Sequence, residues 1–83
     1  MENYYIVREE IITHDSFNEG ILLRTTDRSR AEKTANKVFT AMSQKAEFKG
    51  ATINDTVNKK ILHNTLTGDS YIVEIEEYNS EEN

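Results

Sequence analysis

The sequence predicts an α+β domain in which one helix packs on one face of an antiparallel sheet, in the order strand, strand, helix, strand, strand (ββαββ). Segments rich in β-branched and aromatic residues lie near both ends of the chain, and one segment between them repeats its apolar residues at helical spacing. The chain has 83 residues, which fits a single domain over residues 1–78 with a polar acidic tail at 79–83.

The first two strands are predicted from composition and from turn-forming residues. Residues 4–13 read YYIVREEIIT, a mixture of β-branched and aromatic residues that suits a half-buried pleated surface. Residues 14–20 read HDSFNEG and are dense in turn formers, and the second strand follows at 21–25. We therefore expect the two strands to pair as a hairpin with a long loop at its tip.

The helix is predicted to begin at Ser29, because Ser29 and Glu32 have the spacing of a capping box. Its apolar residues share one face, which consists of Ala31, Ala35, Val38, Phe39, Met42 and Ala46. We expect the helix to end near Gly50, since glycine readily adopts the left-handed conformation that follows many helices. The two alanines at the start of this face allow a close approach to the sheet.

The segment after Gly50 fits two structures. A short helix would place three apolar residues on one face, namely Ile53, Val57 and Ile61. A strand over about 57–66 is preferred, because it leads into Thr-Gly-Asp at 67–69, a hairpin turn signal.

The last strand is predicted over residues 70–78, which read SYIVEIEEY. Its residues alternate between an apolar face toward the helix and a mostly acidic face toward solvent. The apolar set is Tyr71, Val73 and Ile75, and the outward set is Ile72, Glu74, Glu76 and Tyr78.

The net charge of −5 conceals a segregation of charge along the chain. Residues 28–49 contain six basic and two acidic residues, whereas residues 69–83 contain six acidic residues and no basic one. Charged solvent faces are sufficient to explain this pattern. The functional alternative is an acidic strand and tail that mimic a phosphate backbone and meet a basic groove on a partner protein. The partner-binding residues expected on that hypothesis are Glu74, Glu76, Glu77, Tyr78, Glu81 and Glu82.

The sequence offers no set of residues for catalysis. There are no cysteines, which excludes disulfides and thiolate metal sites and favours a cytoplasmic location. His14 and His63 have no metal-ligand spacing, and neither a glycine-rich phosphate loop nor a nucleophile elbow is present. No apolar stretch approaches the ~20 residues needed to cross a bilayer. We therefore predict a non-enzymatic protein without cofactor, metal or membrane partner.

The chain resembles, in type, the small inhibitor proteins that phages and mobile elements encode against host defence, such as anti-CRISPR and anti-restriction proteins. The resemblance covers the whole chain and rests on its size, its acidity, its lysine-, asparagine- and isoleucine-rich composition, and its acidic strand and tail. These proteins share no single fold. The resemblance implies a module that binds a nucleic-acid-handling effector of the host and blocks it sterically or by charge mimicry.

Two other functions fit the sequence. An open edge of the sheet could pair with a second copy, which would give a homodimer with a structural or assembly role. The basic helix could bind nucleic acid directly, although six cations in an acidic chain make a weak electrostatic footprint.

Overall fold

The computed structural model describes residues 3–79 and confirms the α+β class, with one α-helix packed on one face of an antiparallel sheet. The elements are β1 (Asn3–Ile12), β2 (Phe17–Thr25), α1 (Arg28–Ser43), β3 (Thr52–Asp55), β4 (Lys59–His63) and β5 (Ser70–Asn79). The strands lie side by side in the order β2-β1-β5-β4-β3. The first and last strands of the chain are therefore neighbours, and β2 and β3 form the two edges.

The first hairpin is longer and its turn tighter than predicted. β2 begins at Phe17 and not at residue 21, because the turn closes within residues 13–16. The amide of Thr13 donates to the carbonyl of Ser16 at 2.9 Å, and the Thr13 hydroxyl donates to Asp15 Oδ1 at 3.0 Å. The register of β2 against β1 shifts between Val7 and Arg8. The long tip loop of the sequence prediction is thus wrong.

The helix begins and ends earlier than predicted. Asp27 is its N-cap and accepts hydrogen bonds from the amides of Ser29 (2.9 Å) and Arg30 (3.3 Å), so the capping box at Ser29 does not form. The helix ends at Ser43, after which a 3₁₀ turn over Ala46–Phe48 carries Phe48 into the core. Gly50 has a φ of +80° and therefore closes this turn region, not the helix.

The segment after Gly50 forms two short strands where one was preferred, and the short helix is also wrong. β3 and β4 pair as a hairpin whose turn is held by the side chain of Thr56. The Thr56 hydroxyl donates to the carbonyl of Lys59 at 2.7 Å and accepts from the amide of Lys59 at 3.1 Å. The sheet thus has five strands, and the last hairpin, β4 to β5, turns where Thr-Gly-Asp predicted it.

The core lies between α1 and the sheet and contains the predicted apolar face of the last strand and most of that of the helix. Ala46, predicted on the helical face, is instead exposed in the 3₁₀ turn, because the helix ends before it. The helix contributes Ala31, Ala35 and Phe39, the 3₁₀ turn contributes Phe48, and the strands contribute Val7, Leu62, Tyr71, Val73 and Ile75. Ala31 and Ala35 have almost no accessible surface, which places the first half of the helix in close contact with the strands beneath it.

Lys60 is a buried charged residue at the edge of this core, with 7% of its surface accessible. Its ammonium group donates to Asp55 and to the carbonyl of Thr56, and lies 6.0 Å from the centre of the Phe39 ring. The Asp55 side chain is 51% exposed, so water can solvate its carboxylate if the lysine is removed.

Replacing Lys60 with methionine is expected to change the free energy of unfolding by less than about 1 kcal/mol, because an apolar side chain of similar volume avoids the cost of burying a charge. Lys60→Ala, which also loses the packing on Phe39, should be the less stable variant of the pair. Urea denaturation of both variants beside the unmodified chain measures this. A methionine variant that loses as much stability as the alanine variant would show that the ion pair itself holds the hairpin.

Candidate functional site

The face of the sheet opposite α1, called the outer face below, is not covered by any other element of the described residues. Strand alternation places on it the side chains that lie between the core residues. From β5 these are Ile72, Glu74, Glu76 and Tyr78, and from β1 they are Tyr4, Ile6, Arg8, Glu10 and Ile12. The outward set predicted for the last strand therefore lies on one exposed surface.

Glu76 is the centre of a polar network on the outer face. Arg8, on the neighbouring strand, places Nε at 3.2 Å and Nη2 at 3.1 Å from Glu76 Oε1. The Tyr78 hydroxyl donates to the same oxygen at 3.1 Å. The hydrogen bond to the Glu76 carboxylate raises the pKa of Tyr78, and the same carboxylate raises the pKa of Arg8. Glu76 is thus already engaged by groups of its own chain.

Glu74 differs from Glu76 because its side chain has no partner in the part of the chain that the structure describes. Its cross-strand neighbours are Arg8 on β1 and Lys59 on β4. Even so, the Glu74 side chain forms no hydrogen bond or ion pair with any residue in 3–79. Its half-exposed carboxylate is therefore available to an incoming group.

Glu77 lies on the opposite face of the sheet from Glu74 and Glu76. Strand alternation turns it to the helix side, where it accepts hydrogen bonds from Asn3 Nδ2 (2.6 Å) and Arg28 Nη1 (3.5 Å). Arg28 also binds Glu32 (3.0 Å) and Asn58 (3.1 Å). Glu77 thus fastens the start of α1 to the end of β5, and it does not share a surface with Glu74. Two further predicted residues, Glu81 and Glu82, lie outside the described residues.

An aromatic ladder that the sequence did not reveal crosses three strands at one end of the outer face. Tyr4 and Tyr78 stack with ring centres 5.3 Å apart and planes 17° apart. The guanidinium carbon of Arg24, on β2, lies 4.4 Å from the centre of the Tyr4 ring. A cavity of about 310 Å³ opens beside the ladder and is lined by Asn3, Tyr4, Glu77, Tyr78 and Asn79.

The outer face as a whole carries charges of both signs. The strand registers place on it the carboxylates of Glu10, Glu19, Glu74 and Glu76 and the cations of Arg8, Arg24 and Lys59. Four negative and three positive charges leave a small negative excess, which is concentrated along β5. This surface is less uniformly acidic than the sequence suggested, because β1, β2 and β4 bring cations beside the acidic strand.

The solvent face of α1 carries cations without partners. Arg30, Lys33 and Lys37 are exposed and form no ion pair with the described residues. Arg28, at the start of the same helix, is the exception because Glu32 and Glu77 bind it. The positive charge predicted for the helix is therefore displayed mainly on one side of it.

The histidines lie apart from each other. His14 is exposed in the turn between β1 and β2, whereas His63 on β4 places Nδ1 2.8 Å from the Ser70 hydroxyl. Within residues 3–79, no group of three or more histidine, aspartate or glutamate side chains could hold a metal ion. Over the same range, no helix has the length and apolar character of a membrane span.

Tyr71 is a buried ionisable residue that points into the core. Its hydroxyl donates to Glu9 Oε1 at 2.8 Å. Burial and this hydrogen bond raise the pKa of Tyr71 well above its usual value near 10. Glu9 and Glu10 thus lie on opposite faces of the sheet and cannot act as a carboxylate pair.

Raising the pH is expected to destabilise the chain partly through Tyr71. The contribution of Tyr71 to the free energy of unfolding is fully present below about pH 10, the usual tyrosine pKa. It is lost as the pH rises from there toward the higher pKa that Tyr71 has in the folded state. In that window the unfolded chain releases one more proton than the folded chain, so stability falls by up to about 1.4 kcal/mol per pH unit. Urea denaturation between pH 8 and 11.5 should show a steeper loss for the unmodified chain than for Tyr71→Phe. The prediction is contradicted if the free energy of unfolding falls with pH at the same rate in the unmodified chain and in Tyr71→Phe.

Comparison with known proteins adds no relative to this description. No family model, no curated protein and no solved structure matches the chain.

Proposed function

We propose that the chain is a non-catalytic module that binds a protein partner through the outer face of its sheet, centred on β5. The observation that carries this proposal is the position of Glu74. Its carboxylate has no partner among residues 3–79, which also leave this surface uncovered, and it lies in line with Glu76 and Tyr78.

The composition of the outer face supports protein recognition. Half-exposed Ile72, which pairs with Ile61 on β4 and Glu10 on β1, supplies apolar area at the middle of the sheet. Tyr78 supplies a large amphipathic ring at its end, and tyrosine is among the residues that contribute most to protein interfaces. A surface with an apolar centre and charged surroundings has the anatomy of an interface that forms between separately stable proteins.

The charge along β5 favours a partner with a basic surface. In the inhibitor type that the sequence resembles, such a partner is a nucleic-acid-handling effector, and binding would cover its basic groove. Complementary charge speeds association and selects the correct partner. The electrostatic attraction weakens as ionic strength rises, because salt screens it. This mechanism needs neither a cofactor nor a catalytic residue from this chain.

A charge reversal at Glu74 tests the proposal. The immobilised chain should capture a partner from lysate of its host, and Glu74→Lys should reduce this capture at least tenfold, since it places a cation opposite a basic surface. Glu47→Lys is the matched control, because Glu47 is exposed on the 3₁₀ turn and its side chain has no partner among the described residues. The proposal fails if Glu74→Lys and Glu47→Lys capture the same partner equally well.

A second candidate function is direct binding of nucleic acid by α1, favoured by the unpartnered cations of Arg30, Lys33 and Lys37. Fluorescence anisotropy of a labelled DNA or RNA oligonucleotide at low salt tests it. Binding should fall with salt and should be lost in a Lys33→Glu, Lys37→Glu double variant. No binding of either nucleic acid by the unmodified chain at low salt eliminates this candidate.

A further inference from the structure

We propose that the ring of Tyr78 is the docking site for an arginine side chain of the protein partner. The guanidinium group would stack on the side of the ring that Tyr4 does not cover, next to the carboxylate of Glu76. This inference rests on the proposed function and specifies the chemistry of the partner.

The sheet leaves one side of the Tyr78 ring uncovered. β4 pairs with β5 only as far as Lys59 and Glu74, and a hydrogen bond of 2.8 Å from the Ile75 amide to the Asn58 carbonyl follows that pair. Further along, β5 pairs with β1 but not with β4. Tyr4 therefore covers the ring from the β1 side, and no ring or cation among the described residues covers it from the other. The residue is 39% exposed.

The chain already stacks a guanidinium group at the opposite end of the same ladder. Arg24 lies over Tyr4 on the β2 side, Tyr4 stacks on Tyr78, and Tyr78 ends the row. A planar guanidinium group packs well on an aromatic face and is attracted by the ring quadrupole. A partner's arginine on Tyr78 would extend the ladder by the same kind of contact that begins it.

Charge decides between arginine and other flat groups. A nucleobase could stack on Tyr78, but its phosphates would meet two carboxylates on the same face. One is Glu74, whose side chain forms no ion pair with residues 3–79, and the other is Glu76, whose charge Arg8 partly neutralises. A guanidinium group would be attracted instead. Glu76 Oε1 lies 3.1 Å from the Tyr78 hydroxyl, which places this carboxylate, with the Arg8 guanidinium that it binds, beside the ring. Lysine offers the same charge without the planar surface, and its ammonium group is more strongly hydrated.

The experiment is a pair of titrations followed by NMR, with the peptides acetyl-Gly-Arg-Gly-amide and acetyl-Gly-Lys-Gly-amide as probes. The arginine peptide should shift the ring resonances of Tyr78 and Tyr4, and its own side-chain methylene protons should move upfield under the ring. We expect binding in the millimolar range and at least fivefold weaker binding of the lysine peptide. Shifts of equal size with both peptides, or shifts that map away from Tyr78, would overturn the proposal.

Three variants separate stacking on the Tyr78 ring from electrostatic attraction by the acidic residues. Tyr78→Phe keeps the ring and should keep the arginine preference, whereas Tyr78→Leu should abolish it. Glu76→Gln keeps an acceptor for the Tyr78 hydroxyl but removes the charge, and should weaken the binding of the arginine peptide severalfold. An arginine preference that survives Tyr78→Leu in a folded chain overturns the proposal.

The two proposals can fail separately. If the two peptides bind alike while Glu74→Lys still abolishes partner capture, the arginine site is overturned and the outer-face function stands. If the arginine peptide binds at Tyr78 while capture survives Glu74→Lys, the outer-face function fails and the arginine site is supported.

Discussion

Replacing Tyr71 with alanine is expected to lower the free energy of unfolding by about 3–5 kcal/mol. Tyr71 has no accessible surface and lies on β5, between β1 and β4, with Ile11 and Leu62 as its cross-strand neighbours. Removing the ring leaves a cavity in the core on the helix side of β5, and the hydrogen-bonded strands on both sides of β5 limit its collapse. For a chain of this length, whose total stability is of the order of 4–12 kcal/mol, such a loss removes at least about a quarter of the stability.

The matched variant Tyr71→Phe separates packing from hydrogen bonding. It keeps the ring and removes only the hydroxyl that donates to Glu9. We expect a loss of about 1–2 kcal/mol, since Glu9 is half-buried and water can partly replace the lost donor. Urea denaturation at pH 7 measures both variants. If alanine and phenylalanine destabilise the chain equally, the hydrogen bond and not the ring supports the core at this position.

Local patterns were enough to predict the fold class and most of the core. The alternation of Tyr71, Val73 and Ile75 identified which face of the last strand is buried. The helical spacing of Ala31, Ala35 and Phe39 did the same for α1. Both patterns work because burial repeats with the period of the secondary structure, so a single segment contains the information needed.

The errors in the fold come from competition between side chains that can make the same local hydrogen bond. Asp27 and Ser29 are both good N-caps, and the chain uses Asp27, which has an extended backbone and reaches two amides. Thr56 closes a turn through its hydroxyl, without the glycine or proline that marks most turns, so the sequence predicts only one strand, from about residue 57, and misses β3.

The candidate site could be predicted only in part, because the residues that contact one another in it are distant in sequence. Arg8 is 68 residues from Glu76, and Arg28 is 49 residues from Glu77. Which cation meets which carboxylate depends on β1 pairing with β5, and no local pattern encodes that register. For the same reason the sequence could not predict the stack of Tyr4 on Tyr78, although strand alternation correctly placed Tyr78 on the face of Glu74 and Glu76.

Replacing Ala35 with leucine is expected to lower the free energy of unfolding by about 2–3 kcal/mol, toward the upper end for overpacked cores. Ala35 is 1% exposed, and the helix meets the sheet here through small side chains. A larger side chain must push α1 away from the strands. Arg28 resists that movement, because it binds Glu77 on β5 and Asn58 before β4 at the start of the same helix.

Ala41→Leu is the control for Ala35→Leu, because Ala41 lies on the exposed side of α1 and leucine and alanine are both good helix formers. It should change stability by no more than about 0.5 kcal/mol. In a thermal melt, a loss of 2 kcal/mol at position 35 corresponds to a decrease in Tm of about 8–16 °C for a chain of this size. Equal melting temperatures for the two variants would mean that α1 does not lie as close to the sheet as its two buried alanines require. A selective decrease at position 35 would instead establish that small side chains set the distance between helix and sheet.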